Sequence, residues 1–235
     1  MAAYPFSEDR EVYTLDPSNS ILNLTLSETP SQEDYMIATN ETDTSVEGFS
    51  TTVDLQFKHL LTSVGLKIWR DHAKHQNGQM RIKEVTLGNI RKGGTYSTAT
   101  GEWAYNGDKL TMKFTNDKLT DSDNIGGAII KDDGSMETGG STAADPFGEM
   151  MLLPQTFNES NSVPIKIVYE LKLQNAANWE EAELEAVLPN ITLNAGQRYT
   201  FNVVLSQVTD ITVYYIQTKV DPWGTPQVGG TVIIK

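Results

Sequence analysis

Thr52-Val53-Asp54-Leu55-Gln56-Phe57-Lys58-His59-Leu60-Leu61-Thr62-Ser63-Val64-Gly65-Leu66-Lys67-Ile68 decides the fold class of this chain. Val53, Leu55 and Phe57 alternate with Asp54, Gln56 and Lys58, and after a break over 59–63 a second alternation runs Val64, Leu66, Ile68. A period of two puts apolar groups on one face of an extended chain, so the stretch predicts a half-buried strand with a central irregularity.

The same reading extends in both directions. Leu22, Leu24 and Leu26 share a face in an otherwise polar, Ser/Thr-rich N-terminal region, and Ile82 alternates imperfectly with Val85 and Leu87. Asn106-Gly107 lies between Trp103 and the alternating Leu110, Met112 and Phe114, and Asn-Gly accepts the positive φ of a type I′ turn, which predicts a hairpin there. Residues 165–173, 199–205 and 211–215 read as further strands. Over 181–188 two signals conflict. The Ala, Glu and Leu content favours helix, yet Ala182, Leu184, Ala186 and Leu188 alternate with period two, and the period decides which face can be buried. A strand is therefore expected. Many short strands separated by turn residues imply an all-β sandwich or barrel.

Three stretches of the sequence resemble recurring pieces of the fimbrillin-like proteins of Bacteroidales, the subunits of type V pili. Phe57-Lys58-His59-Leu60-Leu61-Thr62-Ser63-Val64 is similar to their F-x-H-L-L-x-x-V signature, Leu152-Leu153-Pro154-Gln155 to an L-P-Q strand start, and 194–201 to a turn of the form A-G-x-x-Y-x-F. The resemblance covers about residues 35–223 and implies a transthyretin-like (Greek-key) β-sandwich, leaving room for a partial second β-domain at the N-terminus. It also implies structural roles for Phe57, His59, Pro154, Gln155, Gly196 and Tyr199. On this basis residues 1–45 are expected to be a partial N-terminal β region and linker, 46–220 the sandwich domain, and 221–235 a tail with a terminal strand. The family's lipoprotein signal segment, and much of an N-terminal domain, are expected to lie outside this sequence.

Composition restricts the function. A formal charge of −13 opposes nucleic acid and anionic membranes as partners, because phosphate would be repelled, and no apolar run approaches the length of a membrane-spanning helix. The chain lacks cysteine, so its four Asn-x-Ser/Thr sequons, at Asn23, Asn40, Asn158 and Asn190, do not come with the disulfides usual in a secreted eukaryotic β-protein. A bacterial exported protein fits better.

No catalytic, cofactor-binding or metal-ligating set is expected. His72 and His75 are separated by loop-like sequence and flanked by the cations Arg70 and Lys74, which would repel a metal ion. Asp121-Ser122-Asp123-Asn124 begins like a calcium loop, but Ile125 stands where an oxygen ligand belongs, so the EF-hand reading fails. Residues 121–149 hold six glycines and five aspartates with almost no periodicity, which reads as a long surface loop. Asp121, Asp123, Asp132 and Asp133 mark it as a candidate adhesive loop, with a loose calcium site and a plain solvated loop as the open alternatives. Trp69, Trp103, Trp179 and Trp223 could offer stacking platforms for sugars, although Trp69 reads better as packing.

At the C-terminus, Gly229-Gly230 leads into the β-branched strand Thr231-Val232-Ile233-Ile234. Such a strand can close its own sheet or add to the open edge of a neighbouring subunit, and the resemblance implies the second. The function expected is therefore a non-enzymatic, exported fimbrial subunit at the outer-membrane surface. Its expected partners are other pilus subunits, reached by strand exchange, and a host or bacterial receptor or glycan. A surface glycan-binding sandwich module is the alternative, and a hydrolase with an unrecognised carboxylate pair the third reading.

Overall fold

Gln79–Arg91 is the longest strand, and its pairing explains why its apolar alternation is imperfect. In the ladder with Pro164–Lys172, Val168 faces Glu84 while Tyr169 faces Ile82, so Lys83 is an extra, bulged residue and the apolar phase shifts by one around it. In the ladder with Lys109–Thr115, Leu110 faces Ile90 and Met112 faces Leu87, a second irregularity where Asn89 adopts φ 61° and its amide donates to the Ser162 carbonyl at 2.6 Å. The two shifts keep Met80, Ile82, Val85, Leu87 and Ile90 all buried.

The computed structural model describes residues 2–4, 13–16, 21–28, 33–39, 52–53, 55–72, 78–131, 136–138, 142–205, 211–215 and 232–233. Its architecture is all-β, and the one helical turn among the described residues is the 3-10 turn Asp121–Asp123. One antiparallel sheet has the order Lys109–Thr115, Gln79–Arg91, Pro164–Lys172, Glu180–Val187. The other centres on Thr62–Asp71, which lies parallel to Arg198–Leu205, itself paired with Ile211–Tyr215. Between the sheets pack Val85, Ile165, Ile167 and Tyr169 from the first against Leu66, Ile68, Phe201 and Val203 from the second. Burial of this apolar area is the main stabilising term.

Thr62–Asp71 is more buried than alternation predicts, since Thr62 and Ser63 are as enclosed as Val64 and Leu66. A second small cluster of Trp69, Ala128 and Val204 contains residues out of phase with Ile68 and Val203, and so covers the opposite face of the sheet. Trp69 is thus core, its Nε1 donating to Asn202 Oδ1 at 3.0 Å.

Glu180–Val187 is a strand, as the period requires. Leu184 and, just beyond it, Leu188 are buried, whereas Glu181 and Glu183 point outward to Lys83 and Lys166 at 2.5 and 2.8 Å.

The expected Asn-Gly hairpin does not form. Glu102–Tyr105 pairs with Gly93–Ser97 and Lys109–Thr115 pairs with Gln79–Arg91, so a single long ribbon closes at 98–101, where Gly101 (φ 75°) donates to the Ser97 carbonyl at 2.8 Å. Asn106-Gly107 instead forms a corner opposite Lys92, whose amide donates to the Asp108 carbonyl at 3.0 Å. Gly107 does take φ 85°, so the local signal was conformationally right, but the choice of partner strand lies elsewhere. At this corner the ribbon leaves the first sheet and joins Ile21–Thr25 and Tyr13–Asp16 in another. Leu24 and Leu26 reach the main core, while Leu22 packs with Ile37 and Leu60.

Residues 121–149 are not a featureless loop. Gly127–Ile130 pairs parallel with the end of Thr62–Asp71, Ala144 bridges Ile68, and Glu149–Leu152 pairs antiparallel with 62–65. The segment covers the open edge of the central strand, which short apolar pieces such as 128–130 can do without a period long enough to be read.

Candidate functional site

The family-like stretches come together at one end of the central strand. Gly196 adopts φ 70°, which a Cβ would strain, and its N–H donates to the Leu61 carbonyl at 2.8 Å. Tyr199 is buried, and its hydroxyl accepts from the Asn194 backbone amide at 3.1 Å, tying off the same turn. His59, partly exposed, bonds through Nδ1 to Asp34 Oδ2 at 2.7 Å, and Phe57 is half-buried. Burial raises the Asp34 carboxyl above the ordinary aspartate range, the nearby His59 opposing that shift. Further along, the Pro154 carbonyl accepts from the Tyr105 hydroxyl, and buried Gln155 accepts the Arg91 backbone N–H at 3.2 Å while donating to the Leu153 carbonyl at 3.1 Å. These contacts tie down the ends of strands.

Within 121–149, Asp123 serves the local turn. Its carboxylate accepts the Thr120 N–H at 2.5 Å and the Thr120 hydroxyl at 2.9 Å, and these bonds hold its pKa below the usual carboxylate range. The Asp121 side chain, Asp132 and Asp133 lie outside the described residues. Beside this turn opens a cavity of about 690 Å³ whose walls include Arg70, Phe114, Asp123, Asn124, Thr142 and Asp145. Asn124 is itself anchored, its Oδ1 accepting the Met80 N–H at 2.8 Å.

His72 packs against the Gly127 backbone, where an added Cβ would meet its Nδ1 at 2.8 Å, and His75 lies outside the described residues. No group of three His, Asp or Glu is close enough to hold a metal among the described residues. Trp103 packs between Tyr96 and Tyr105, and the Arg81 guanidinium lies 4.1 Å from the centroid of the Trp179 ring. Trp223 is outside the described residues. Among the described carboxylates with a resolved shift, only Asp34 is raised, and its partner is a histidine rather than a second carboxylate.

A second cavity, of about 590 Å³, involves Arg91, Tyr105, Lys109 and Asn161, which sequence reasoning did not single out. These residues come from separate elements and form no local motif, so spacing carries no signal for them.

At the C-terminal end, Val232–Ile233 pairs antiparallel with Thr52–Val53, and among the described residues the two pair with no other strand. Thr231 and Ile234 lie outside the described residues.

Comparison with known proteins agrees with this architecture. A search of curated proteins finds no match. Among solved structures, a fimbrial protein from Bacteroides vulgatus superposes with a TM-score of 0.64 at 15% identity, covering 94% of this chain and 76% of its own, which shows a shared fold. A provisionally assigned cell adhesion protein from Bacteroides ovatus has a TM-score of 0.49 at 18% identity, covering 96% of this chain and 67% of its own. The family profile described as fimbrillin-like matches residues 1–223, and the chain belongs to the fimbrillin-like family.

Proposed function

We propose that this protein is a non-enzymatic, exported subunit of a bacterial surface fimbria that joins other pilus subunits by strand exchange and takes part in adhesion. The observation that carries the reading is family membership over residues 1–223. The outer-membrane surface is the corresponding location, and the 121–149 segment with its 690 Å³ cavity is the surface proposed to meet a host or bacterial receptor. No helix among the described residues is long and apolar enough to cross a membrane.

The terminal strand supports the strand-exchange part. Val232–Ile233 and Thr52–Val53 pair with each other and, among the described residues, with no strand of the sandwich, so the terminal segment can leave without opening either main sheet. Inserted into a neighbour, it would offer main-chain hydrogen bonds plus β-branched side chains, each contributing about 1.5–3 kcal/mol if fully buried. Deleting residues 229–235 is expected to abolish incorporation into polymers in the native host while leaving a soluble monomer of near wild-type melting temperature. Polymers formed normally by the truncated protein would overturn strand donation. A truncated monomer that melts early and aggregates would assign the strand to its own sheet.

A further inference from the structure

We propose that the cavity between Arg91 and Lys109 binds the carboxylate of an acidic sugar, a uronic acid residue within a glycan. The inference adds to the fimbrial reading a second contact, separate from the 121–149 surface, and rests on that reading only for its biological use, because binding is measured on the isolated chain.

The first argument is charge. The chain carries 31 acidic and 18 basic residues, and many of its described cations are paired, among them Arg81 with Glu170, Lys113 with Glu84 and Arg198 with Glu149. Arg91 and Lys109 share one cavity whose lining contains no Asp or Glu. Burial, and then the neighbouring Arg91, push the Lys109 amine below its ordinary range. Two like charges held together without an acid are a standing electrostatic cost that a bound anion would relieve.

The second argument is rigidity. The Arg91 guanidinium lies 4.2 Å over the Tyr105 ring, and Trp103 stacks on that ring at 6.2 Å with a 7° interplanar angle. The Tyr105 hydroxyl is tied to the Pro154 carbonyl, and the Arg91 backbone to Gln155, so the cation is held from both ends. Its Nε is enclosed and meets no acceptor among the described residues, so a ligand can meet this cation only through its terminal nitrogens. Lys109 Nζ donates to Asn161 Oδ1, and Asn161 in turn donates to the Thr156 carbonyl at 2.9 Å. Both cations are thus in place before a ligand arrives, which lowers the ordering cost of binding.

The third argument selects the ligand. A planar guanidinium suits a carboxylate. At about 590 Å³ the cavity is far larger than a bare inorganic anion needs, and its lining includes the Ser160 hydroxyl together with Thr156, Asn158 and Asn194. The side chains of these last three are partly engaged with Thr192, the Ser160 and Asn161 amides, and Tyr199, and keep remaining hydrogen-bonding capacity for sugar hydroxyls.

The test is calorimetric titration of the full chain with a galacturonic acid trisaccharide, its methyl ester and sodium sulfate. The acid trisaccharide is expected to bind, its affinity falling as sodium chloride is raised. Loss of a hydrogen bond to a charged group predicts binding at least about tenfold weaker for the ester, and for Lys109→Met and Arg91→Gln with the acid. The Lys109 amine is partly enclosed but the residue as a whole is exposed, so Lys109→Met is expected to keep the wild-type melting temperature and to remain interpretable should Arg91→Gln unfold. No binding of the acid, equal binding of the ester, undiminished binding by Lys109→Met, or sulfate binding as tightly as the trisaccharide would each overturn the proposal. Any of these leaves the polymerisation test untouched.

Discussion

The central strand Thr62–Asp71 has two edges satisfied in different ways. Along one, Arg198–Leu205 supplies eight consecutive parallel pairs from a single strand. Along the other, the 121–152 segment supplies four antiparallel pairs, one isolated bridge and two parallel pairs rather than one continuous ladder. Both arrangements pair the backbone groups that burial would otherwise penalise. What differs is cooperativity: the continuous partner orders its whole length at once, whereas the patches can open one by one. Glu149 connects the two sides, its Oε2 accepting from Ser63 Oγ on the central strand and from Arg198 Nη2 beyond it, each at 3.0 Å.

The strongest way to break the comparison is Phe201→Ala on the continuous side. Phe201 is wholly buried and stacks near Phe157, so the truncation should cost about 3–5 kcal/mol and lower the denaturant midpoint of the entire fold in one transition. A merely local change in amide exchange would show that this edge is no more cooperative than the other. On the patched side, Gly127→Val forces a Cβ onto His72 and should cost about 1–3 kcal/mol, with amide exchange rising first around 126–128 and 142–144. Adding His72→Ala should return part of that loss, and strict additivity of the two changes would refute the clash.

Asp123→Asn should have the smallest effect and sharpen the distinction by pH. Because Thr120 holds the Asp123 pKa below its unfolded value, the carboxylate stabilises the fold fully above the ordinary aspartate range, and that contribution is lost as pH falls through the depressed value. The difference between wild type and variant, read as exchange at Gly126 to Ala128, should therefore be present at neutral pH and close in acid. A difference that grows on acidification would reverse the assigned sign.

These contrasts also explain which parts of the fold were legible in the sequence. Strands with one continuous partner on a two-layer core announce themselves through period two, and Glu180–Val187 does so against its own helical composition because only Leu184 and its neighbours on that face can reach the core. Lys83 was opaque, since a bulge is defined by the strand opposite it. Asn106-Gly107 signalled a positive φ and not a partner, and the ribbon in fact closes at 98–101. The patches at Gly127–Ile130 and Ala144 are too short for any period to emerge. The family-like stretches were legible because each is a contiguous motif. The Arg91 and Lys109 cavity could not, because its walls meet only after the Gln79–Arg91, Lys109–Thr115 and Gln155–Phe157 strands have paired.

The parallel pairing of Thr62–Asp71 with Arg198–Leu205 has a mechanical consequence. In a hairpin, the two free ends lie side by side, and pulling them apart peels the hydrogen bonds open in sequence. Here the earlier strand begins beside the start of the later one, so tension between Thr62 and Leu205 runs lengthwise and strains all eight pairs together in shear. Force applied along that direction would meet resistance from the whole ladder at once.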